Sequence, residues 1–199
     1  MNEQLRRPHL SMTTQAAEGL MRRRWSVAEI EEMVKAGILG EDERFELIGG
    51  EVVPMSPKGI RHERVKATLA EYWYRRLPPE IGLAPETTFH LDDDTFVEPD
   101  FVFFRRAGGL AGLKPETCLL AVEVADSSLL YDLTRKARIY AAFAVREVWV
   151  INAQTLVTHV HRQPGLEGYQ DKREVAAHEE LVPDFARSLA VSLGALQLI

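Results

Sequence analysis

Positions 1–21 are polar and show no periodicity, and patterned apolar positions begin near Trp25. Ser26 followed by Glu29 has the spacing of a capping box, which predicts a short helix carrying Ile30, Met33 and Val34 and ending at Gly37. Segments 44–48 and 51–55 flank Gly49-Gly50, a two-residue turn signature, and so predict a β-hairpin that Pro54 and Pro57 terminate. From 59 to 77 the spacing of Val65, Leu69, Trp73 and Leu77 is helical, with Tyr72 widening the stripe. The other face carries Arg61, Arg64, Lys66, Arg75 and Arg76, and Pro78-Pro79 closes the helix. Two extended segments, 83–91 and 96–104, meet at the acidic turn Asp92-Asp93-Asp94 and predict a second antiparallel pair.

Segment 118–125 is a nearly continuous apolar run, the pattern of a central strand. Asp132 is placed to cap a helix reaching about Phe143, and 147–151 is a second short apolar strand. Strand, helix and strand at this spacing form a βαβ unit with an expected right-handed crossover. The last fifty residues predict further strands at 156–162 and 169–176.

Composition narrows the class of protein. A length of 199 residues suits one domain able to bury its own core, expected over 25–199, with 1–24 as a flexible N-terminal tail. No apolar run approaches the roughly 18 residues of a membrane span, and the start lacks the hydrophobic core of a secretory signal. With Cys118 as the single cysteine, neither an intrachain disulfide nor a thiolate metal cluster can form. These features predict a cytoplasmic protein without a membrane partner. Residues 1–24 carry a net charge of +3, so the remainder carries −9 of the total −6. So acidic a body lacks the global footprint of a plain DNA-binding module. It is compatible with a nuclease, whose acidic residues surround a bound cation.

Three residues are chemically awkward where they stand. Glu123 interrupts the apolar 118–125 run, where an unpaired carboxylate is costly. Alternation places it on a face with Leu119, Ala121 and Ala125, whose alanines leave room for an ion. A solvated edge strand would account for it equally well. Asp100 follows Pro99, which removes a ladder donor, so the acid should project from a strand irregularity, or else belong to a plain turn. Lys136 shares a helical stripe with Leu133, Ala137, Tyr140 and Ala144, which could carry its amine over the Glu123 strand or leave it snorkelling at the surface.

In order along the chain stand Phe45-Glu-Leu-Ile-Gly-Gly-Glu51, Met55-Ser-Pro57, Arg61-His62, Glu98-Pro-Asp100, Val122-Glu-Val124 and Tyr131-Asp132. Lys136, Tyr140 and Val145-Arg-Glu-Val-Trp-Val-Ile151 follow. From about Trp25 to the C-terminus this ordered set resembles the Uma2 family of restriction endonucleases, within the PD-(D/E)xK nuclease superfamily. The resemblance implies an α/β, restriction-endonuclease-like fold: a mixed β-sheet flanked by helices, here with an additional N-terminal β-hairpin. It implies metal ligation by Asp100 and Glu123, completed by the carbonyl of Val124. The superfamily's lysine would stand at position 125, which is Ala125 here, and Lys136 fits a position that has moved to the following helix. Ala144 and Asn152 replace a glycine and an aspartate common in the family. His62 and Glu46 also match recurrent positions. A structural role is favoured for His62 over phosphate orientation or proton transfer, and Glu46 would be a further acid near the metal.

The expected activity is Mg²⁺- or Mn²⁺-assisted hydrolysis of phosphodiesters, in DNA, with Asp100, Glu123, Lys136 and His62 as the catalytic set. A homodimer would present two sites to a duplex. The competing expectations are a non-catalytic nucleic-acid- or protein-binding domain on the same fold, and a metal-dependent hydrolase of another substrate.

Overall fold

A computed structural model describes residues 22–40 and 42–198. The expected tail over 1–21 lies outside these residues. Arg22–Arg24, by contrast, are held: Arg22 pairs with Glu51 at 2.7 Å, and Arg24 donates to the Gly49 carbonyl at 2.7 Å. The chain divides into two compact units, one made of residues up to Met55 with His90–Val97, the other of Ser56–Phe89 with Glu98 onward.

The first unit holds helix α1 (Val27–Lys35) and a four-stranded sheet in the order β2-β1-β5-β4. The Ser26–Glu29 capping box forms as the spacing predicts, each side chain taking the other's backbone N–H. Strands β1 (Phe45–Ile48) and β2 (Glu51–Pro54) make the expected hairpin. Gly49 and Gly50 both have positive φ, 59° and 82°, as a tight hairpin turn requires. Strands β4 (Phe89–Asp92) and β5 (Thr95–Val97) complete the sheet, and Phe45, Leu47 and Phe96 pack with Val27 and Ile30 as its core.

The second unit is a six-stranded sheet in the order β10-β9-β8-β7-β6-β3. Its strands are β3 (Ile81–Pro85), β6 (Phe101–Arg105), β7 (Cys118–Ala125), β8 (Glu147–Asn152), β9 (Thr158–Gly165) and β10 (Gly168–Val175). Only β7 and β8 run parallel; the other neighbours are antiparallel, so the sheet is mixed as expected. Strand β7 is interior and every residue in it is buried, which removes the edge-strand account of Glu123. Helix α2 (Ile60–Tyr74) buries Val65, Leu69 and Trp73, with Trp73 packed edge-on to Phe101 and Phe103 at ring-centre distances of 5.2 and 5.1 Å.

Two expectations need correction. Segments 83–91 and 96–104 do not form one long hairpin, because each breaks in the middle and is shared between the two sheets. The last rung of β3 against β6 joins Pro85 to Phe101, after which both chains leave the ladder. Pro99 has no N–H with which to continue it, and Glu86 adopts a φ of 45°. Asp132, in turn, does not cap the crossover helix. The helix starts earlier, with α3 (Leu129–Tyr131), passes through a π-helical turn over Asp132–Lys136, and ends as α4 (Ala137–Ala142). Asp132 is buried inside it and accepts a 2.6 Å hydrogen bond from Ser128 Oγ.

Trp73 is 1% exposed and also donates its indole N–H to the Leu189 carbonyl. Trp73→Ala should therefore cost about 3–5 kcal/mol of stability, read as a lower urea midpoint, with Trp73→Phe losing distinctly less.

Candidate active site

The double break beyond Pro85 and Phe101 creates the environment of Asp100. On the β6 side the ladder ends at the Phe101–Val122 rung, so the Val124 amide would face that side without a strand partner. The Asp100 carboxylate takes the partner's place: Val124 N–H donates to Asp100 Oδ2 at 2.7 Å. Across the gap, Glu86 N–H donates to the Asp100 carbonyl at 3.2 Å. A buried carboxylate thus repairs a broken ladder, which explains why Asp100 is 4% exposed although it follows a strand-breaking proline.

Asp100 Oδ1 faces two nitrogens, Lys58 Nζ and His62 Nε2, each at 2.8 Å. Burial alone would push the Asp100 carboxyl pKa up, but the hydrogen bonds and charges of His62 and Lys58 outweigh it and hold the pKa at about 2. His62 is carried by the first turn of α2, and its Nδ1 lies 3.1 Å from Glu63 Oε1. The N-cap of α2 is Gly59, so His62 does not cap the helix and instead contacts Asp100.

Glu123 and Val124 are consecutive, so the Asp100–Val124 bond ties Asp100, just ahead of β6, to the residue next to Glu123 in β7. Glu123 is 5% exposed; Lys136 Nζ stands 3.0 Å from its Oε1, and Tyr140 O–H donates to the same oxygen at 2.6 Å. Lys136 and Tyr140 are four residues apart on the crossover helix, and both are buried. The helical spacing therefore does carry the amine over the β7 strand. The N–H and C=O of one strand residue point to the same side, so the Val124 carbonyl is directed like its N–H, toward Asp100.

A second layer of charge was not visible in the sequence. Lys58 Nζ also lies 2.5 Å from Glu86 Oε1, and Lys66 Nζ stands 3.0 Å from the same oxygen and 2.8 Å from Glu63 Oε2. Burial tends to raise the Glu86 pKa, yet these two ammonium groups bring it down to about 2. Lys58 sits in the loop ahead of α2, and Glu86 in the turn after β3, where no periodicity singles them out. The usable signal was the repeat of proline followed by an acid, Pro85-Glu86 and Pro99-Asp100, in two segments predicted to pair. Glu46 is buried in β1 of the first unit and is not part of this cluster's unit.

A mixed sheet bearing two buried carboxylates and a helix-borne lysine fits the restriction-endonuclease-like architecture that the family resemblance implies. A model of the Uma2 family, described as "Putative restriction endonuclease", matches residues 27–192. The chain belongs to this family. Among solved structures, it is similar to one titled a "putative nuclease" from Anabaena variabilis ATCC 29413. The TM-score is 0.67 at 14% identity, covering 85% of this chain and 95% of that one, a likeness that establishes the fold. A comparison with curated proteins gave no match.

The low pKa of Asp100 has a consequence for acid stability. Its folded value lies below the ordinary 3.8, so the stability it contributes is present above about pH 4 and is lost as pH falls through about 2. Asp100→Asn should flatten the dependence of unfolding free energy on pH between 4 and 2, by up to about 1.4 kcal/mol per pH unit. Chemical denaturation across that range measures the difference, and equal slopes would contradict the assignment.

Proposed function

We propose that this chain is a metal-dependent endonuclease that hydrolyses phosphodiester bonds in DNA through Asp100, Glu123, Lys136 and His62. The observation that carries the reading is the 2.7 Å hydrogen bond from the Val124 amide to Asp100, which ties one buried acid to the residue that follows the other. Membership of a family described as restriction endonucleases supports the nuclease class.

The donor set suits a hard divalent cation. Among the described residues no three acidic, histidine or cysteine side chains form a metal-holding group. Mg²⁺ does not need one, since it keeps several waters and is commonly held by one or two carboxylates together with substrate phosphate. Asp100, Glu123 and the Val124 carbonyl would hold Mg²⁺ or Mn²⁺. When bound, the cation supplies polarisation of the phosphate and a lowered pKa for a coordinated water.

The chain's own residues do the rest. Lys136, buried against Glu123, pairs with that carboxylate and presents a positive charge where negative charge accumulates on the phosphate oxygens. Its origin on the crossover helix compensates for Ala125 at the superfamily's usual lysine position. Tyr140 fixes the orientation of Glu123 through its hydroxyl. His62, anchored in α2, orients Asp100 through Oδ1. Two copies of the chain would present two such centres to the two strands of a duplex.

The test is cleavage of plasmid DNA with Mn²⁺ by wild type beside two variants. Glu123→Gln should abolish nicking, and Lys136→Met should lower the rate by about a hundredfold or more. Wild type that leaves DNA intact and gives no heat with Mn²⁺ or Mg²⁺ in calorimetry would instead establish a non-catalytic binding domain on this fold. Metal binding without cleavage of DNA or RNA, but with cleavage of a simple phosphodiester, would move the substrate elsewhere.

A further inference from the structure

Lys58 lies outside the set that the sequence singled out, yet it makes the most exposed of the contacts to Asp100. Its ammonium is shared between Asp100 Oδ1 at 2.8 Å and Glu86 Oε1 at 2.5 Å. A carboxylate oxygen has two lone-pair directions. At Asp100 Oδ1 both are taken, by Lys58 and by His62, while Oδ2 accepts from Val124. A cation coming to Oδ1 must displace one of these donors. His62 is 5% exposed and carried by a fifteen-residue helix. Lys58 stands on the loop before that helix, on a flexible four-carbon stem, with a second carboxylate already within reach.

We propose that Lys58 is a resident counter-cation of Asp100, and that it withdraws to Glu86 when a divalent cation binds. The proposal deepens the metal-dependent reading above and rests on it. Before binding, Lys58 compensates the buried Asp100 as Lys136 compensates Glu123, so neither buried carboxylate stands without positive charge. On binding, two cations at one oxygen repel strongly in a buried setting, and the transfer removes that repulsion. Glu86 is built to receive the ammonium. Its backbone N–H is tied to the Asp100 carbonyl, and its turn is held at a φ of 45° next to the ladder's end. Lys66 also pairs with it at 3.0 Å. Lys58 is thus a positioning residue, and it lowers metal affinity.

The experiment is Mn²⁺ binding at fixed pH and ionic strength, read by electron paramagnetic resonance of the free ion, on four proteins. These are wild type, Lys58→Met, Glu86→Gln and the double variant, each first shown to be folded by circular dichroism melting. Lys58→Met should bind Mn²⁺ about tenfold more tightly. Glu86→Gln should bind more weakly than wild type, because Lys58 then has only Asp100 to pair with. In the Lys58→Met background, Glu86→Gln should change nothing further. That result would separate a role through Lys58 from a general loss of negative charge, which would weaken binding equally in both backgrounds. Lys58→Arg, which keeps the charge, should behave like wild type, and Glu86→Gln alone still tests the proposal if Lys58→Met does not fold. Unchanged or weaker binding by Lys58→Met beside a wild type that binds Mn²⁺ overturns this inference and leaves the metal site standing. Absence of binding in every variant overturns both.

Discussion

A hydrogen bond from the Val124 amide to the Asp100 carboxylate organises the centre of this protein. Two adjacent chains abandon their ladder after the Pro85–Phe101 rung, which leaves the end of β7 facing a gap inside a buried sheet. Orphaned amides in such a place cost as much as lost hydrogen bonds. The fold answers with a side chain in place of a strand, and that side chain is an acid. Every other feature of the site follows from the charge so introduced. Asp100 needs donors, which Lys58 and His62 in the first turn of α2 supply, and Lys58 and Lys66 share Glu86 as a common anion.

The Glu123 side obeys the same rule with different parts. A carboxylate in an interior strand is tolerated only if it is paired and hydrogen-bonded. The crossover helix does both at once, with Lys136 and Tyr140 one turn apart on a single oxygen. The turn just before it is π-helical, and wide turns of this kind recur at functional sites. Here Asp132 and Lys136, the two ends of that turn, are both buried. An isolated buried ion pair is weak support for stability, since an apolar pair of the same volume would usually serve as well. The cluster of Asp100, Glu123 and Glu86 with their lysines is therefore hard to explain by stability alone.

Much of this was legible from residue patterns. The capping box at Ser26, the Gly49-Gly50 turn, the stripe of α2 and the βαβ unit rest on local rules, and local rules act over a few residues. Asp100, Glu123 and Lys136 stood out because each violated the expectation for its element, and that misfit signals function when several violations share one region. The break of 83–91 and 96–104 into two sheets was missed, because each segment reads as continuous strand until its partner's proline is considered with its own. Asp132 was misread because a side chain well suited to a helix start was instead needed inside the helix. Lys58 and Glu86 carry no periodic signal at all; only the paired breaks bring their loops together.

The acidity of the chain also takes on a different meaning once the site is in view. A net charge of −9 outside the first 24 residues argues against broad electrostatic capture of nucleic acid. Local compensation changes what a phosphate would meet, because Lys58, Lys66, Lys136 and His62 stand among Asp100, Glu123, Glu86 and Glu63. On the metal-dependent reading proposed above, a divalent cation arriving with a phosphodiester would displace one resident ammonium from Asp100 and add its own counter-charge. Coupled arrival of that kind would make metal and substrate strengthen each other's binding, a selectivity that neither surface charge nor any single ligand could provide.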